Sequence, residues 1–119
     1  MDIKQEDLIR FWTWCGLVEQ ETGSWYENKV GGKYISVTMP TLTLDHINKF
    51  AIPKLNSKNM AVTLIIFDGC RCLIHVLENG YIYSWDSSTP TEALYNAIMK
   101  VIDNEVKYCQ TNLKHTHVT

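Results

Sequence analysis

The stretch MAVTLIIFDGCRCLIHVLENGYIYSW, Met60 to Trp85, decides the fold through its punctuation. Asp68-Gly69 and Asn79-Gly80 are dipeptides that tolerate the positive φ of a tight hairpin, and each lies between apolar runs. Three strands follow, Met60 to Phe67, Cys70 to Glu78 and Tyr81 to Trp85, in an antiparallel meander. Two-residue loops pair Phe67 with Cys70 and Glu78 with Tyr81. That register puts Thr63, Ile65, Phe67, Cys70, Cys72, Ile74, Val76, Tyr83 and Trp85 on one face, and Val62, Leu64, Ile66, Arg71, Leu73, His75, Leu77, Ile82 and Ser84 on the other. Alternation with a period of two is nearly absent from Leu64 to Phe67, so the strand reads as apolar on both sides. A sheet of this kind needs layers on both faces. The expected class is α+β, a three-layer α/β/α sandwich around a mainly antiparallel sheet.

The flanks supply the helices. Thr89-Pro90-Thr91-Glu92 combines an N-cap, proline at the first helical position and glutamate at the capping-box position. Leu94, Ala97-Ile98, Val101-Ile102 and Glu105-Val106 then recur at three and four, predicting a stripe of about four turns that lies on the sheet. The tail QTNLKHTHVT loses this periodicity, which sets a domain over 1–109 and a flexible tail over 110–119. Upstream, Asp2 and Gln5 form a capping pattern ahead of Ile3, Leu8, Ile9, Trp12 and Cys15, with Gly16 as the stop. Leu17 to Val37 reads as strand pieces around the Gly31-Gly32 turn, an antiparallel hairpin. Leu44, Ile47 and Phe50-Ala51 share one face of a short helix that Pro53 should end at Ile52.

Composition bounds the function. A chain of 119 residues and 13.7 kDa, 45% hydrophobic and 20% charged, is one ordinary domain with no disordered bulk. A net charge of −2 gives no positive field to gather nucleic acid or an anionic membrane. The longest apolar run, Ala61 to Phe67, is far short of the roughly 20 residues of a membrane span. The charged N-terminal MDIKQEDLIR is unlike a secretory signal, so the sequence predicts a cytoplasmic protein with reduced thiols at Cys15, Cys70, Cys72 and Cys109.

No assembled chemistry is legible. Cys70-Arg71-Cys72 lacks the spacing and the second ligand pair of a zinc site, and His115 and His117 lie in the tail. Cys72 and His75 point to opposite faces, which removes a nucleophile-base pair. Glycine-rich phosphate loops, H-E-x-x-H and G-x-S-x-G are absent. The chain therefore reads as non-enzymatic, with neither cofactor nor metal. Its most unusual feature is aromatic content, 4 Trp and 6 Tyr, gathered in Phe11–Trp14, Trp25-Tyr26 and Tyr81–Trp85. Trp12 and Trp85 fit the core. Trp25, Tyr26 and Tyr34 flank a hairpin turn and suit a surface pocket or a subunit contact. Arg71, midstrand between apolar neighbours, requires a carboxylate such as Asp86 or an anionic ligand.

Three segments, Phe11–Gly16, Leu42–Leu55 and Ala93–Ile102, together resemble small phage and prophage proteins of the α/β/α sandwich type. The resemblance implies a phage setting, hence a host cell cytoplasm, and transfers no catalytic residue. The chemistry it sits beside suggests an accessory protein that sequesters an anionic, nucleotide-like small molecule in a pocket of Trp25, Tyr26, Tyr34, Arg71 and His75, an anti-defence role in which the ligand is a host defence signal. The alternative is a protein-interaction module acting on a host protein. Exposed hairpin aromatics further predict a homo-oligomer, most simply a two-fold dimer.

Overall fold

The computed structural model describes the backbone of residues 3–19, 25–29, 32–36 and 39–118 and the side chains of 3–19, 25 and 39–105. Asp2, Gly31 and Val37 lie outside the described residues, as do the side chains of Tyr26, Tyr34, Cys109, His115 and His117.

The meander forms as expected in kind and differs in register. Strands β4 (Met60–Ile66), β5 (Cys70–Val76) and β6 (Ile82–Ser87) make one antiparallel sheet in that order. The β4–β5 loop has three residues, Phe67, Asp68 and Gly69, so Ile66 faces Cys70. Asp68 takes φ 52° and Gly69 φ 118°, a sharp left-handed bend that leaves Phe67 at the tip. One residue of slip reverses every side chain of a strand. Val62 and Leu64 therefore join Cys70, Cys72 and Ile74 on the inner face, while Thr63 and Ile65 turn outward. The β5–β6 loop is longer than two residues as well, with Gly80 N–H donating to the Val76 carbonyl and Cys72 opposite Trp85. That slip is by two, so the faces of β6 stay as expected.

Helix α4 (Pro90–Val118) covers the inner face along β5 and β6. Its start follows the sequence: the Glu92 amide donates to Thr89 Oγ1 at 3.3 Å. The Glu92 carboxylate turns away from the cap and accepts from Ser87 Oγ at 3.3 Å. The helix has 29 residues, twice the four turns that its apolar stripe predicts, and runs through most of the segment expected as a tail. Ala97, Ile98 and Val101 are fully buried against Cys72 and Ile74.

Helix α1 (Gln5–Trp14) ends at Gly16, whose φ of 103° suits glycine alone. It buries Phe11 and Trp12, and Phe11 meets Tyr95 of α4 at 5.0 Å between ring centroids. A second sheet, β1 (Leu17–Glu19), β2 (Trp25–Lys29) and β3 (Gly32–Ser36), is antiparallel, with Lys29 opposite Gly32. Leu17 and Trp25 fix it to the core.

Pro53 does not end the middle helix. Helix α2 (Leu44–His46), capped by Thr43 Oγ1, passes through a π-helical turn (Ile47–Ala51) into α3 (Ile52–Ser57). Ile52 is helical at φ −62° and ψ −45°, and its amide reaches back five residues to Ile47. The wider turn passes the point where proline offers no N–H, and Pro53 stands at the start of the next segment, where none is needed. Ile47, Ala51 and Leu55 are fully buried along it.

The α+β class with its antiparallel meander stands as read from the sequence. The layering argument does not, because Leu64 is only half-buried and Ile65 is 42% exposed. Among the described residues, none of the outward-facing Ile65, Leu73 and Ile82 packs against the buried core.

Candidate functional site

Two concavities flank the meander, one at each end. At the β4–β5 end, Ile65, Phe67, Asp68, Arg71, Asp86 and Ser87 line a hollow of about 350 Å³. Arg71 and Asp86 stand opposite each other in register, and the guanidinium grips the carboxylate with two bonds, Nε to Oδ1 at 2.6 Å and a terminal nitrogen to Oδ2 at 3.1 Å. The hydrogen bond to Arg71 holds the Asp86 carboxyl below the usual carboxylate range. Both groups are exposed, so Arg71 has the carboxylate partner that its midstrand position required.

At the opposite end, Lys58, Met60, Val76, Glu78, Asn79, Tyr81, Tyr83, Asn104 and Glu105 line an open groove of about 800 Å³. Tyr81 and Tyr83 meet edge to face at 4.8 Å, and Asn104 donates to the Tyr83 hydroxyl at 2.8 Å. Glu105 ties three elements: its carboxylate accepts from Trp14 Nε1 at 2.9 Å and pairs with Lys58 Nζ at 3.2 Å. Such a network makes the wall rigid, since each polar group in it has a partner.

Between these ends lies the outer face, where Thr63, Ile65, Arg71, Ile82, Ser84 and Asp86 are exposed. His75 is half-buried there, its Nε2 3.4 Å from Thr63 Oγ1. Large apolar side chains cluster on this sheet: Ile66 is 68%, Phe67 87% and Leu77 65% exposed, with Tyr81, Ile82 and Trp85 also open. Lys100 Nζ sits 5.0 Å from the Trp85 ring, which shields that indole in part.

Of the residues singled out in the sequence, the three with described side chains, Trp25, Arg71 and His75, do not line one cavity. Arg71 and His75 share the outer face of β5, four residues apart. Trp25 is 2% exposed and belongs to the core, so its indole has no open face. Tyr26 and Tyr34 stand opposite Ile35 and Glu27 in the second sheet, with side chains outside the described residues. Tyr81 and Tyr83 were visible as part of an aromatic cluster. Lys58, Asn104 and Glu105 come from distant segments and carry no local signal.

The thiols of Cys15 and Cys72 are chemically quiet. Burial pushes Cys15 up from 9.0 to about 12 and Cys72 to about 11, while Cys15, Cys70 and Cys72 carry no disulfide. The folded chain thus keeps thiol protons that the unfolded chain releases near pH 9. Stability contributed by these groups is full below that pH and falls as pH rises toward 11 and 12. Iodoacetamide at pH 7.5 should leave Cys15 and Cys72 unmodified in the native chain and label them after denaturation; rapid native labelling at Cys72 would contradict its burial. No group of three His, Cys, Asp or Glu able to hold a metal exists among the described residues. No helix of the described residues is long and apolar enough to cross a membrane. No family model, curated protein or solved structure matches the chain.

Proposed function

We propose that the chain is a non-enzymatic protein-interaction module whose docking surface is the outer face and the tips of the meander. The observation that carries this reading is the exposure of large apolar side chains on one small sheet, Ile65 and Ile82 on its outer face and Ile66, Phe67, Leu77 and Tyr81 at the ends of its strands. Apolar patches of this kind on a small domain favour a protein partner. In the phage setting implied by the resemblance, that partner would be a host protein.

Charge weighs against the anionic small molecule. The groove sets Lys58, already paired, against Glu78 and Glu105, and the hollow sets Arg71, already gripped by Asp86, against Asp68 and Asp86. An anion entering either would meet net negative charge and a cation that must first release its carboxylate. Among the proposed ligand residues, the buried Trp25 offers no stacking face.

The test is affinity capture from the source cell with the native chain and with Ile82→Glu, followed by heating the eluate for nucleotide analysis. A protein retained by the native chain and lost with Ile82→Glu is the expected result. A stoichiometric nucleotide without a protein partner would overturn the reading in favour of ligand sequestration.

A further inference from the structure

We propose that two copies of this chain associate about a two-fold axis by antiparallel pairing of strand β4 with β4, making one continuous six-stranded sheet. This rests on the reading of the meander as a docking surface and names one occupant for its open edge.

The phase of the ladder shows which backbone groups are on offer. Phe67 N–H donates to the Gly69 carbonyl at 3.0 Å and Leu77 N–H to the Asn59 carbonyl at 3.0 Å, so the odd-numbered residues of β4 exchange bonds with β5. The even-numbered Met60, Val62, Leu64 and Ile66 direct their N–H and C=O groups to the free edge. No backbone bond among the described residues reaches that edge.

The two edges of the sheet are treated differently. On β6, the Lys100 ammonium takes the Ser84 carbonyl at 3.0 Å and Asp86 carries a charge. On β4, the residues MAVTLII include no charge and no proline, the usual devices that keep an edge from pairing. An uncharged strand is also what a two-fold contact needs, because each residue near the axis meets its own copy and any charge would face itself.

The strand is self-complementary with Thr63 on the axis. Val62 and Leu64 then pair with Leu64 and Val62 of the second copy, and Met60 with Ile66, through the groups left free. On the outer face, the small Ala61 lies beside Ile65 of the second copy, and on the inner face the 68% exposed Ile66 gains Met60. The outer apolar row becomes continuous across the axis.

The experiment measures mass by light scattering and sedimentation from about 1 to about 100 µM. The native chain should give twice 13.7 kDa. Thr63 is exposed, so Thr63→Lys leaves the fold intact while setting two like charges face to face, and association should weaken, shifting the dimer midpoint to at least about tenfold higher concentration. Leu64→Pro, which removes an edge N–H that β5 does not use, should act likewise. In Thr63→Cys, the two thiols would be opposed at a Cα separation of about 4.5 Å, within disulfide reach, and oxidation should link the chains; Ile65→Cys, whose own copy lies beyond about 7 Å, should not link. A native mass of one chain overturns the proposal, and so does a two-chain mass that survives Thr63→Lys without linking Thr63→Cys. If the native chain is monomeric while Ile82→Glu still loses a captured protein, self-pairing fails and the docking reading stands.

Discussion

Trp12→Ala should lower stability by about 3 to 5 kcal/mol, read from the urea midpoint, since it empties the site where α1, the π-helical turn and α4 meet. The indole is fully buried, edge-on to Phe11 at 4.9 Å and to Phe50 at 6.0 Å, with His46 at 6.5 Å. Its Nε1 has no hydrogen-bond partner among the described residues. A buried donor without a partner opposes folding, so Trp12→Phe removes a cost along with some contact area. That variant should lose less than about 2 kcal/mol. If Phe proves as damaging as Ala, an acceptor holds the indole N–H.

Ile74→Asp should abolish cooperative unfolding, while Ile82→Asp on the neighbouring strand should change stability by less than about 1 kcal/mol. The contrast follows from one sheet with two unlike faces. Ile74 is fully buried on the inner side, and an unpaired carboxylate there costs several kcal/mol against a total of about 5 to 15. Ile82 is 48% exposed on the outer side, where a carboxylate stays in water. Far-ultraviolet dichroism during thermal melting separates the two outcomes. Unfolding by Ile82→Asp would mean that something covers the outer face.

Local chemistry was legible wherever a backbone requirement names its residue. Thr89 and Pro90 start α4, Gly16 ends α1, and the two X-Gly dipeptides place the hairpins. Register was not legible, because Leu64 to Phe67 is apolar at every position and offers no alternation to choose between loops of two and three residues. The loop length is decided by the left-handed pair Asp68 and Gly69, which a sequence reads equally well as a two-residue turn. Pro53 misled for a related reason: proline forbids an N–H bond, and the chain met that constraint by widening a turn. The candidate site was legible only in part. Arg71 called for its carboxylate and Asp86 supplies it, two positions that the strands bring opposite. Trp25 was misplaced because five residues of a hairpin do not reveal which face the core will take. The tyrosine groove depends on Lys58 and Glu105, forty-seven positions apart, and only folding joins them.

The one-sided burial of the meander also separates two kinds of selection along a single strand. Substitution at Cys70, Cys72 or Ile74 is filtered by whether the chain folds, whatever it binds. At Thr63, Ile65, Ile82 and Ser84, folding imposes little filter, so these codons would be free to follow the partner proposed above. Related sequences should then show substitution rates that alternate with a period of two along β5, fast outside and slow inside. Rapid change confined to alternate positions would be the signature of an adversarial history written on a surface that the fold itself leaves unconstrained.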